Sequence, residues 1–257
     1  MEAAPEKITL KYQSWLPYWA VLQTDFRQTI RSWVYRVWVM VCFISILVYL
    51  FYRFGIHSES WLIQSASLHT SFVIRGVLLG SLALVVILSV SAIAGERGTL
   101  ADSVLSRGIN RYQYFLAKWH ARSFVVILTL IFLSGTMLLG SSLLLGEDLT
   151  FHGSLIALWT ISVTILGVCA WGTSLGALTN SSILGITILW IILYGGSSLF
   201  TLLPESFPAP ERIFAKMPGI LKGEYGWEQV SPWTNFVLVT SAISIILGIW
   251  GFNRKDI

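Results

Sequence analysis

Charge is scarce in this sequence. Only 12% of the 257 residues are Asp, Glu, Lys or Arg, about half the share of roughly 25% usual in a soluble domain. By contrast 55% are hydrophobic and 12 are Trp, and the mean hydropathy is +0.72. That balance places the chain among membrane proteins. Cysteine is nearly absent: Cys42 and Cys169 both fall inside apolar runs, where a lone thiol packs as a small hydrophobe, so no disulfide framework, zinc or haem site is expected. There is no GxxxxGK[ST] phosphate loop and no GxGxxG, and no room for a separate soluble domain, which excludes a self-contained ATPase. Nucleotide energy, if used, has to come from a partner. The first 30 residues are polar or amphipathic and show no cleavable signal.

Six apolar segments are present, at about 37–52, 76–95, 123–145, 154–178, 183–203 and 233–252. Each is read as a bilayer crossing of about 20 residues; the first is short, but Arg36 and Arg53 at its ends can snorkel to the interfaces. None of the six contains Asp, Glu, Lys, Arg or His. Proton- and ion-coupled carriers need such groups at membrane depth, so their absence argues against an ion-driven transporter and, by the same lack of charge, for an amphipathic or lipid-like substrate. The four histidines, His57, His69, His120 and His152, are scattered over loops and span ends with no HExxH or paired carboxylates, so no metal site is expected. An intramembrane serine protease would need a base at the depth of its serine, and none is available.

Lys and Arg are divided unequally between alternate loops. Twelve, including Arg27, Arg31, Arg36, Arg97, Arg107, Arg111, Lys118 and Arg122, fall on the side of the termini, and five, Arg53, Arg75, Arg212, Lys216 and Lys222, on the other. The bias puts both termini in the cytoplasm, and the positive charge, net +4, reads as a topology signal with no implication of nucleic acid. Before the first span, Trp15, Trp19, Leu22, Phe26, Ile30 and Trp33 recur at helical spacing. With Ser14 as N-cap and Pro17 in the first turn, this predicts an amphipathic helix lying in the interface. Asp25, Arg27, Gln28 and Arg31 lie off the apolar stripe.

Residues 95–122 form the longest connection on the side of the termini. Thr99-x-x-Asp102 and Asn110-x-x-Gln113 each look like a capping box, and Gly108 separates them, so two short helices joined by a Ser106-Arg107-Gly108 turn are predicted. Composition alone leaves open whether they lie on the membrane surface. Residues 179–182 make a tight hairpin, and 204–232 form the long loop on the far side, where Ile213, Phe214, Met217, Ile220 and Leu221 could build a small apolar face over the end of the bundle. Two pairs at GxxxG spacing, Gly76/Gly80 and Gly172/Gly176, are candidates for close helix packing within the chain or between subunits. The hydroxyls of Thr160, Thr164, Thr173, Ser174, Thr187, Ser197 and Ser198 either line a weakly polar cavity or bond their own helices.

The segment after the second span resembles the cytoplasmic connection of the ABC-2 type permeases, the membrane subunits of a class of ATP-binding-cassette exporters. The matching residues are Glu96, Gly98, Thr99, Leu100, Leu105, Ser106, Arg107, Arg111, Tyr114, Leu116 and Lys118. The amphipathic first helix, the six spans, the long far-side loop and the terminal Phe252-Asn253-Arg254-Lys255-Asp256-Ile257 are also similar to that family. The sequence departs from it where Glu96 and Gly98 stand close together and where Gly108 replaces a usual proline. The resemblance implies an all-α, polytopic membrane protein with a single transmembrane domain over 1–257: interfacial helix in 1–36, six-helix bundle in 37–252, tail in 253–257. It further implies a coupling helix at 99–105, with Glu96, Gly98, Thr99, Leu100, Val104, Leu105, Arg107 and Arg111 coupling the chain to a separate ATPase subunit that holds ATP and Mg. A second permease copy, membrane lipids and an extracytoplasmic protein are the other partners it allows, in the cytoplasmic (inner) membrane. The chain itself is then not an enzyme. The alternative is a membrane anchor that relays ATPase motion to an outer partner without transport.

Overall fold

The structure, a computed structural model, describes residues 15–60, 65–96, 109–145, 148–204 and 207–254. Among them the chain is helical, with no strand. The helices are α1 (Leu16–Arg31), α2 (Trp33–Ser60), α3 (Ala66–Ala94), α4 (Arg111–Leu144), α5 (Phe151–Leu178), α6 (Ser182–Trp190), a π segment (Ile191–Gly195) running into α7 (Gly196–Thr201), then α8 (Pro210–Ala215), α9 (Met217–Lys222) and α10 (Trp227–Arg254). Five of these, α2 to α5 and α10, are long and apolar enough to cross a membrane, which fits a multi-pass membrane protein. The expected fifth crossing, 183–203, is helical from Ser182 to Thr201, but its ladder widens to a π turn at Ile191–Gly195, so no single α-helical stretch in it is long enough to count among the five. Six uninterrupted spans are therefore not found.

Antiparallel helices put the start of α2 and α4 and the end of α3, α5 and α10 at one end of the bundle, called here the termini end. The opposite end, the loop end, carries α8 and α9. At the centre stands α5, which packs on α3, α4, α6 and α10. Its own glycines and small residues make this possible: a Cβ on Gly176 would lie 2.3 Å from the Val90 carbonyl oxygen, and one on Gly172 2.4 Å from Ser89 Cβ. Gly76 and Gly80 meet nothing within 4 Å, so that pair does not pack within the chain. The first span is longer than its apolar run implied, at 28 residues, and is the least embedded of the five.

Two further boundaries differ from expectation. The second short helix of 95–122 is not separate: it is the first third of α4, a 34-residue helix, because no Gly or Pro interrupts 111–134. Asn110 does occupy the N-cap, but its side chain makes no capping bond and its amide instead approaches the Tyr112 hydroxyl. In α1 the N-cap position is Trp15, without a side-chain cap; Ser14, like Gly98, Thr99, Leu100, Asp102, Val104, Leu105, Ser106, Arg107 and Gly108, lies outside the described residues.

Residues 204–232 hold the two short helices α8 and α9 rather than one. Ile213, Met217, Ile220 and Leu221 are buried against the bundle, as their apolar pattern suggested. Pro218 sits in the first turn of α9, where a missing N–H costs nothing. The left-handed Gly223, φ 82°, ends α9, and the Leu221 carbonyl accepts a bond from Thr150 N at 2.9 Å. The loop is thereby tied to the start of α5.

Candidate functional site: a paired charge cluster and a lateral cavity

At the termini end, α1 lies against α4 with its polar side inward. Asp25 and Thr29 are buried, whereas Trp15, Trp19, Ile30 and Trp33 are exposed. Of the apolar stripe, Leu22 and Phe26 are half-buried, Phe26 against Phe124 of α4, while the four residues just named stand open. Lys118 and Arg122, one turn apart on α4 and therefore on one face, meet Asp25 and Thr29, which have the same spacing on α1. Lys118 Nζ donates to Asp25 Oδ1 at 2.8 Å and to Glu96 Oε1 at 2.6 Å. Arg122 Nη2 donates to Asp25 Oδ1 at 3.0 Å and Nη1 to Thr29 Oγ1 at 2.6 Å. Its Nε lies 3.0 Å from Asp25 Oδ2, an ion pair whose angle falls short of a hydrogen bond. Tyr114 completes the cluster by donating its hydroxyl to Glu96 Oε2 at 2.6 Å.

The four charges sum to zero. That matters because the side chain of Asp25 is 0% exposed and that of Lys118 5%, and isolated charges so placed would be expensive. Paired, they fix three elements relative to one another: α1 through Asp25, the end of α3 through Glu96, and α4 through Lys118. Arg111 reaches the carbonyls of Phe252 and Asn253 at 3.4 and 3.2 Å, capping the end of α10.

Sequence reasoning found Glu96 and Lys118 only through a resemblance, and missed Asp25 and Arg122 as partners. A signal was present: Asp25/Thr29 and Lys118/Arg122 are both i, i+4 pairs, complementary in charge and hydrogen-bonding capacity, on two helices with opposite apolar stripes.

Toward the loop end lies a cavity of about 320 Å³ bounded by α3, α5, the π segment, α8 and α10. Its deeper wall is apolar, with Leu82, Val168, Trp171 and Leu189. Of the hydroxyls noted in the sequence only Thr164 lines it; its oxygen accepts from Trp233 Nε1 at 3.0 Å while donating to Thr160 O. Thr160, Thr173 and Thr187 bond carbonyls of their own helices, Ser174 Oγ is buried without a hydrogen bond, and the side chains of Ser197 and Ser198 lie outside the described residues. Leu79, Ile192 and Tyr194, also in the lining, are exposed. The cavity therefore opens sideways, between α3 and the π segment, on the apolar flank of the bundle. α3 packs on α6 but hardly on the π segment above it, which is why the slot exists.

Two charged residues line this cavity, Arg75 and Glu211. Neighbouring Arg212 turns away to bond the carbonyls of Leu203, Pro204 and Phe207, closing the end of α7. Glu211 Oε2 is left buried with no hydrogen bond, and among the described residues no ion pair engages Arg75. No protein-family model matches this chain, and no curated protein matches it in sequence.

Proposed function

We propose that this chain is the permease subunit of an ABC-2 type exporter, with both termini cytoplasmic, moving an amphipathic or lipid-like substrate outward at the expense of ATP and Mg bound to a separate ATPase subunit. The observation that carries this reading is the convergence of three residues of the motif, Glu96, Tyr114 and Lys118, in one buried cluster with Asp25 and Arg122. A rigid, charge-neutral joint at the root of 97–108 is what a segment transmitting motion from an ATPase to α3 and α4 requires: differential contacts at 97–108 in two states of the ATPase would be passed on through Glu96 and bias the bundle between two conformations. A second permease copy completes the assembly. The lateral cavity favours transport over simple relay of force to an outer partner, since relay needs no ligand space.

The test is a mild-detergent pull-down of the intact chain from its native membrane after cross-linking. Recovery of a subunit carrying a phosphate-binding loop is expected, and deletion of 99–105 should abolish it. Leu100→Asp should leave insertion intact and weaken docking, by placing a charge in an apolar groove. Recovery of the chain alone would overturn the reading.

A further inference from the structure

We propose that the lateral cavity is a binding site for a phospholipid bearing a primary amine, with an acyl chain between α3 and the π segment, its phosphate on Arg75 and its ammonium on Glu211. The inference deepens the substrate side of the function proposed above, and rests on it only in taking the bundle to lie in a bilayer.

Three independent observations meet here. First, the space is apolar, about 320 Å³, and opens on the flank of the helices, where in a bilayer only lipid is available to enter. A ligand reaching it from water would have to cross the aromatic cover formed by Phe200, Phe207, Phe236 and Trp233, whose rings contact one another with centroids 5.3 to 6.0 Å apart. Second, the wall that faces the slot is a π turn, a widened helical turn found frequently at functional sites, and none of its residues is buried in the bundle. The fold leaves this turn uncovered.

Third, the charges are complementary to one class of headgroup. Arg75 immediately precedes the apolar run of its helix, so its guanidinium belongs to the bilayer interface, and guanidinium is the preferred partner of phosphate oxygens. Glu211 offers a buried carboxylate oxygen with no donor among the described residues; a buried acceptor left unmade is costly, and a primary ammonium carries the donors that would satisfy it. A quaternary ammonium has none, and a glycerol headgroup adds no positive charge. One cation and one anion in the lining, neither in an ion pair among the described residues, match a headgroup with one phosphate and one ammonium.

The experiment uses the full chain, without any ATPase, in nanodiscs of phosphatidylcholine doped with phosphatidylethanolamine carrying a photoactivatable group on its acyl chain. After irradiation, labelled peptides are mapped by mass spectrometry. Label is expected on Trp171, Leu193 and Phe236, displaced by unlabelled phosphatidylethanolamine at about tenfold lower concentration than by phosphatidylglycerol, the difference one charged hydrogen bond supplies. Glu211→Gln should erase that preference, and Val168→Trp, which fills the cavity, should remove the cavity label and spare the label on the outward face of α2. Label confined to outward faces in the unaltered protein, or equal displacement by the two lipids, would overturn the proposal, and both are read without relying on any variant to fold. Because no nucleotide is present, failure here leaves ATPase docking standing, and failure of the pull-down leaves lipid binding standing.

Discussion

At the termini end of the bundle two acids and two bases are paired with one another, whereas at the loop end Arg75 and Glu211 line one cavity and, among the described residues, make no ion pair. Residues of the same chemistry thus do opposite work. Where Asp25, Glu96, Lys118 and Arg122 satisfy one another, nothing is left over to recognise a ligand, and the cluster acts as a joint. Where partners are withheld, the protein carries a standing cost of the kind that binding can relieve.

The contrast can be broken most severely at Asp25. Asp25→Ala leaves Lys118 with Glu96 and Arg122 with Thr29 but no carboxylate, and should cost about 3–5 kcal/mol, read as a fall in thermal unfolding temperature in one detergent. Removing Asp25 and Arg122 together as Asp25→Leu/Arg122→Met leaves the neutral Lys118–Glu96 pair and should recover much of that loss; a double variant as unstable as the single one would mean that packing, not charge, holds α1 on α4. A smaller effect is expected at the glycine pairs. Gly176→Leu forces a side chain into the Val90 backbone and should cost at least about 1–3 kcal/mol, while Gly80→Leu, with open space before it, should stay within about 0.5 kcal/mol in the isolated chain.

At the loop end, Glu211→Gln should be neutral or slightly stabilising in lipid-free detergent, within about 1 kcal/mol, because it removes the charge of a carboxylate whose buried oxygen is served by no donor among the described residues. A loss comparable to that of Asp25→Ala would reveal a pairing role and erase the difference between the two ends. The smallest effect concerns Asp148, beside the start of α3. Partial burial pushes its carboxyl up, but bonds from the Ser65 and Ser67 hydroxyls and the Ser67 N–H, helped by Lys222, outweigh this and hold it below the usual range. A folded-state value below the unfolded one means that its stabilisation is complete above about pH 4 and is lost as pH falls through the lowered value. The unfolding temperature of the unaltered chain should therefore decline more steeply between pH 5 and pH 3 than that of Asp148→Asn.

Much of the architecture is legible in sequence because apolar run length and periodicity act locally. The Trp15-to-Trp33 stripe, the buried face of Ile213, Met217, Ile220 and Leu221, and the hairpin after Leu178 all emerge from spacing alone. The broken helix did not. Residues 183–203 are as apolar as any span, and nothing in their local period distinguishes the turn at Ile191–Gly195 that widens to π geometry. Likewise the merging of the second short helix into α4 follows from the absence of a breaker, which a capping-box pattern at Asn110 concealed.

By itself, the sequence determined that the chain is helical and apolar and that its charge is kept out of the six apolar runs, because those properties follow from residue type and local period. Only the tertiary structure decided which charges meet. Asp25 and Lys118 are 93 positions apart, and Arg75 and Glu211 farther still, so pairing at one end and its absence at the other depend on how helices pack. No local pattern encodes the distance between side chains on different helices.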